Sequence, residues 1–132
     1  MKNTLKLLVI LVVVLLCPTF VFAASGSYTS SMSSYEAHEI GYVANVSSGT
    51  HPYKMRVNSV SYSGYARNTF PSGSNIQFTY TGGTTVYVRR SFTSCTGVDS
   101  SFGLNSPKDI KVGLYNNSSI NCNSVSADWN FA

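Results

Sequence analysis

The chain has 132 residues, with 13% aromatic and only 11% charged side chains, a length that fits one domain once any leader is removed. Its formal charge is +4; Arg89-Arg90 is the only basic doublet, which excludes the clustered basic face of a nucleic-acid binder. Apolar and β-branched residues recur at regular spacing among Ser, Thr, Asn, Gly and Tyr, which excludes a disordered chain and fits an extracellular β protein.

Residues 1–23 read as a cleavable secretory signal. Lys2 and Lys6 precede an apolar run from Leu7 to Cys17; Pro18 breaks it, and Val21-Phe22-Ala23 carries small residues where a signal peptidase reads. Cleavage falls after Ala23 or Ala24. A retained anchor is the competing reading, since Leu5 to Ala24 approaches the ~20 residues of a membrane helix. No second apolar run follows, so the mature form has no expected membrane span and only a mildly basic balance.

Residues 24–39 are expected to form a flexible, Ser-rich lead-in, with one helical turn over Tyr35 to Glu39. The pattern then becomes period two, and residues 40–132 are assigned to one domain. Tyr42 to Val46 reads as a strand, and Tyr53 to Tyr62 as a second. In the second, Met55 and Val57 share a face, but Val60 and Tyr62 have the opposite parity, which predicts a bulge near Ser59. In the hairpin that follows, Ile76, Phe78 and Tyr80 share one face. A three-residue loop Thr81-Gly82-Gly83 with Gly83 left-handed would pair Phe78 with Val86 and Ile76 with Val88. The outer face would then show Gln77, Thr79, Tyr87 and Arg89.

Cys95 to Lys108 reads as a long loop, broken by Gly97, Gly103 and Pro107. Asp109 to Tyr115 alternates, with Ile110, Val112 and Leu114 inward. Asn123 to Ala132 places Val125, Ala127, Trp129 and Phe131 on one side. Many short, half-buried strands predict an all-β fold, a small antiparallel β-sandwich. Cys17 leaves with the signal, so Cys95 and Cys122 are expected to form one disulfide. Such a loop closure would contribute roughly 3–4 kcal/mol.

The tail VGLYNNSSINCNSVSADWNFA is similar to the C-terminal end of small secreted Gram-positive proteins of uncharacterised function, in which a strand, an Asn/Ser turn and a Trp-bearing last strand recur. The likeness covers the last quarter of the chain and implies no activity.

The chemistry-bearing residues are sparse. His38 and His51 are the only histidines. His38 with Glu36 and Glu39 lacks a metal-site spacing such as H-E-x-x-H, and no G-x-S-x-G elbow occurs. The carboxylates available for a glycosidase pair are Glu36, Glu39, Asp99, Asp109 and Asp128, and nothing in the sequence brings two together. Asp99 with Ser100, Ser101 and Asn105 matches no calcium loop. No cofactor or metal is implied. Asn45, Asn116 and Asn117 match the N-glycosylation acceptor pattern.

Tyr62, Tyr65, Tyr87 and Tyr115 fall in solvent-facing or loop positions and are the candidate binding residues, because exposed aromatic rings suit recognition of sugars or proteins. The expected function is non-catalytic binding of a cell-surface glycan or protein by a secreted β-sandwich. A bacteriocin-like antagonist or toxin, a structural protein of the envelope or matrix, and a small hydrolase are the alternatives.

Overall fold

The computed structural model describes residues 24–131; the expected signal segment, residues 1–23, lies outside the described residues, as does Ala132. Eight strands follow one another: β1 Ala24–Met32, β2 Ala37–Val46, β3 Gly49–Tyr62, β4 Asn75–Gly82, β5 Thr85–Phe92, β6 Gly97–Leu104, β7 Lys108–Asn117 and β8 Cys122–Phe131. They form two four-stranded sheets, ordered β1-β8-β3-β6 and β2-β7-β4-β5. Every ladder is antiparallel. This order is a jelly-roll wrap, in which all but one of the connections carry the chain from one sheet to the other. The expected antiparallel β-sandwich is therefore the observed architecture. Among the described residues no helix is long and apolar enough to cross a membrane.

The core lies between the sheets and follows the alternation of the sequence. Val125, Ala127, Trp129 and Phe131 of β8 are buried, as are Ile110, Val112 and Leu114 of β7 and Ile76, Phe78 and Tyr80 of β4. In β3 the register against β8 shifts between Val57 and Ser59. The extra residue reverses the strand's parity, so Met55 and Val57 before it and Val60 and Tyr62 after it all reach the core.

Three elements differ from the expectation. The supposed lead-in forms β1, which pairs with β8 from Ala24↔Phe131 to Met32↔Cys122. Its serines face solvent while Ala24, Gly26 and Tyr28 face the core; the free edge of β8 supplies the ladder that a Ser-rich segment could not build alone. The expected helical turn is instead a tight bend, with Tyr35 at φ 53°, and β2 starts at Ala37. The supposed loop after Cys95 contains β6, paired with β3 from Gly49↔Leu104 to Arg56↔Gly97. Only Val98, Phe102 and Leu104 mark its inner face, too thin a stripe to read against two glycines.

The hairpin turns at Gly83-Thr84, between the pairs Gly82↔Thr85 and Thr81↔Val86. Gly83 is left-handed (φ 59°), as expected. The pairing is not: a bulge places Tyr80 opposite Val88, Phe78 opposite Arg90 and Ile76 opposite Phe92. Tyr87 is the extra residue, and Val86 is left exposed.

The expected disulfide is absent, and Cys95 and Cys122 are free thiols. β3 runs between them. Thr96 O accepts the Val57 N–H on the outer side of β3, next to Cys95, while Cys122 pairs with Tyr62 from β8 on the other side. Strands flanking a third lie roughly 9.5 Å apart, beyond the ~7 Å Cα limit for a bridge. The Cys122 thiol donates instead to Ser124 O at 3.1 Å. Burial pushes both thiols above their ordinary pKa.

Candidate functional site

The four candidate tyrosines are not brought together. Tyr62 is buried, and its hydroxyl donates to Asn116 Oδ1 at 3.1 Å; burial pushes its phenol up. It was expected in solvent, but the β3 bulge turns it inward. Tyr65 is exposed on the connection between β3 and β4. Tyr115 is half-buried on the outer face of β7. Tyr87 alone enters a cleft that other polar and aromatic groups share.

That cleft lies on the open flank of the sandwich, where the edge strands β5 and β6 of the two sheets face one another. It encloses about 210 Å³ between Tyr53, Tyr87, Val88, Arg89, Arg90, Ser101 and Phe102. A stack of rings lies beneath it. Phe102 stacks on Tyr87 at 5.6 Å between centroids, on Phe131 at 5.5 Å and on Tyr80 at 5.9 Å, with planes tilted by 21°, 25° and 28°. Tyr53 meets Tyr80 edge-on at 5.4 Å. Such offset and edge contacts hold rings in fixed orientations. The β5 bulge aims Tyr87 into this stack, and Gly82 makes room for it: a Cβ there would lie 2.8 Å from the Tyr87 ring.

The polar wall comes from β5. Arg89 is exposed and lines the rim of the cleft. Arg90 reaches across the flank, where its Nε and Nη2 both donate to the Tyr53 hydroxyl at 3.1 Å. The sequence names Arg89-Arg90 only as a doublet. Their meeting with Phe102 and Tyr53 depends on β6 and on strand pairing across two sheets, for which no local signal exists.

Three larger grooves are less suited to recognition. One, of about 500 Å³, crosses the outer face of the first sheet, lined by Ser25, Ser27, Lys54, Arg56, Asp128 and Asn130. Its charges are partly spent: Lys54 pairs with Asp99 at 3.6 Å, and Asp128 accepts from Asn58 Nδ2 at 2.7 Å. A second, of about 450 Å³, lies at the sandwich end near Ala24, Asn45 and Phe131, and a third, of about 310 Å³, runs along Lys54, Arg56, Gly97 and Asp99, where Lys54 is paired with Asp99.

The other polar candidates have structural partners. His38 Nε2 contacts Glu36 Oε1 at 2.6 Å. Among the described residues no three His, Cys, Asp or Glu side chains come together as a metal site. Asn116 is fully buried, so its acceptor motif is closed to a glycosylating enzyme in the folded chain. Asn117 Nδ2 donates to Asn75 Oδ1 at 3.4 Å. Asn45 is exposed at φ 53°.

Asp109 closes an irregular stretch of β2. Its carboxylate accepts the Tyr42 hydroxyl at 2.6 Å and the Asn45 N–H at 2.9 Å. These bonds, Tyr42's first, hold its pKa below the ordinary range. A depressed carboxylate stabilises the fold above its unfolded value of ~3.9 and loses that contribution as pH falls through the folded value. Glu36, lowered chiefly by the Ser33 N–H, acts in the same sense. Urea midpoints are therefore expected to fall below about pH 4. Asp109→Asn should flatten part of that decline and leave the portion due to Glu36. An unchanged profile would show that the Asp109 contacts contribute nothing.

A scan of family models finds no match, and no curated protein matches the chain. Among solved structures the chain is similar to a carbohydrate-binding module from Cellvibrio mixtus lichenase 5A, in complex with cellotriose, at 16% identity and a TM-score of 0.41, covering 78% of this chain and 85% of that one.

Proposed function

We propose that the chain is a secreted, non-catalytic binding protein that takes a surface glycan in the β5–β6 cleft. The observation that carries this reading is Tyr87. Its half-buried ring is fixed by stacking on Phe102 and shares the cleft with Tyr53, Ser101, Arg89 and Arg90. A sugar offers an apolar ring face and a rim of hydroxyls; an aromatic platform flanked by polar groups complements both. The groups stand on paired strands, so little ordering entropy is spent on binding. The leader motif at residues 1–23 supports the extracellular setting.

The test is retention of the purified protein on isolated cell-wall polysaccharide, followed by titration with the fractionated glycan. Saturable binding weakened about tenfold or more by Tyr87→Ala, with the far-UV spectrum and melting retained, is the expected result; loss of a stacked ring is worth up to ~1.5 kcal/mol beyond its buried area. Binding that Tyr87→Ala leaves unchanged would place the glycan elsewhere.

A further inference from the structure

The structure assigns the Arg89–Arg90 wall to an oxyanion: we propose that the cleft selects an acidic polysaccharide, with a carboxylate or phosphate on the arginines and one sugar ring on Tyr87. This rests on the reading of the cleft as a glycan site and names the class of glycan.

Three observations converge on it. First, the positive charge is uncompensated. The ion pairs among the described residues are His38 with Glu36 and Lys54 with Asp99, and neither arginine of the wall has a carboxylate partner. Second, one guanidinium is pre-oriented. Arg90 spends two of its donors, Nε and one on Nη2, on a single acceptor, Tyr53 Oη, at 3.1 Å each. Tyr53 is itself 2% exposed and packed against Tyr80. Of the five N–H donors of a guanidinium, three remain for a ligand, and their planar geometry matches a carboxylate or phosphate edge. Third, the size fits one unit of a polymer. The volume of about 210 Å³ is below the ~300–1,000 Å³ that encloses a drug-sized molecule, and the cleft opens along two strand edges, so a chain can continue past it. Two arginines make too small a basic footprint for a nucleic acid.

The experiment compares polygalacturonate (carboxylate), poly(glycerol phosphate) (phosphate), hydroxyethylcellulose (neutral) and a thymidine oligonucleotide as probes of the intact secreted protein, by affinity electrophoresis at low salt. Binding to one or both acidic polymers is expected, and the stronger of the two identifies the oxyanion. Arg89→Gln should weaken it about tenfold, since a hydrogen bond to a charged group contributes ~1.5–3 kcal/mol. The Arg89 side chain has no hydrogen-bond or ion-pair partner among the described residues, so this variant is expected to keep the fold; Arg90→Gln and Arg90→Lys then test the fork. Binding of the neutral polymer as tight as that of the acidic ones, insensitive to Arg89→Gln, would overturn the anion proposal and leave the glycan reading standing. Retention of no polysaccharide would overturn both. Equal, arginine-dependent retention of the oligonucleotide would replace selectivity for an acidic glycan by general polyanion binding.

Discussion

Replacing Asn116 with leucine is expected to cost about 3–5 kcal/mol of folding stability, since each buried group left unpaired costs ~1–3 kcal/mol. Asn116 is fully buried at the end of the sandwich away from the cleft. Its Nδ2 donates to Ser33 O and Ile120 O at 3.1 Å and to Met32 O at 3.5 Å. Its Oδ1 accepts from Tyr62, and its own N–H donates to Glu36 O at 2.9 Å. One amide thus joins the β1–β2 bend, the β7–β8 turn and β3. Leucine fills the same volume but strands the Tyr62 hydroxyl and takes the Asn116 donor from the Ile120 carbonyl, while Ser33 O keeps the Glu36 N–H. Urea unfolding monitored by fluorescence measures the effect. The loss is large against a typical domain stability of ~5–15 kcal/mol. Tyr62→Phe, which removes one partner only, should cost about 1–2 kcal/mol. A change under about 0.5 kcal/mol for Asn116→Leu, the size of an ordinary surface substitution, would mean that the stranded groups find water instead.

Gly41→Ala is expected to destabilise by about 3 kcal/mol, between the usual cost of overpacking and that of losing a buried tryptophan. The Trp129 ring lies between Gly26 of β1 and Gly41 of β2. A Cβ on Gly26 would sit 2.6 Å from its Nε1, and one on Gly41 2.6 Å from its Cε2. Neither glycine is needed for its backbone angles; each is needed for the absence of a side chain. The ring cannot recede, since β8 is held in register between β1 and β3. A single methyl must therefore expel the ring or separate the sheets. Trp129 is the only tryptophan, so its emission reports which: a red shift means the ring has moved to water. Trp129→Leu should make Gly41→Ala much less costly, giving a coupling energy of about 1–3 kcal/mol in a double-mutant cycle. Additive effects would show that the two residues do not contend for the same space.

The parts of the fold legible in the sequence are those where one strand carries its own apolar stripe. β4, β7 and β8 do so, and the parity switch in β3 marks its bulge without any structural help. The same switch implies that Tyr62 turns inward with Val60, a consequence the solvent-facing assignment of Tyr62 ignored. β1 and β6 have thin stripes and are made into strands by the edges of β8 and β3, so their existence is a tertiary effect. The disulfide failed for a related reason. Counting cysteines says nothing about which side of β3 each one reaches. The candidate site was legible only at Tyr87. Arg90, Tyr53 and Phe102 are far apart in the chain and belong to different sheets.

The position of β8 also governs when this chain can fold. It follows the other seven strands in the sequence, yet lies between β1 and β3, and β1 has no other ladder partner. Sheet assembly around it must wait until all eight strands are present, and its contacts with β1 close a loop of nearly the whole domain. Such non-local pairing places folding in the millisecond-to-second range typical of β-sandwiches. β1, the first strand made, can therefore find its ladder only when β8, the last, is in place.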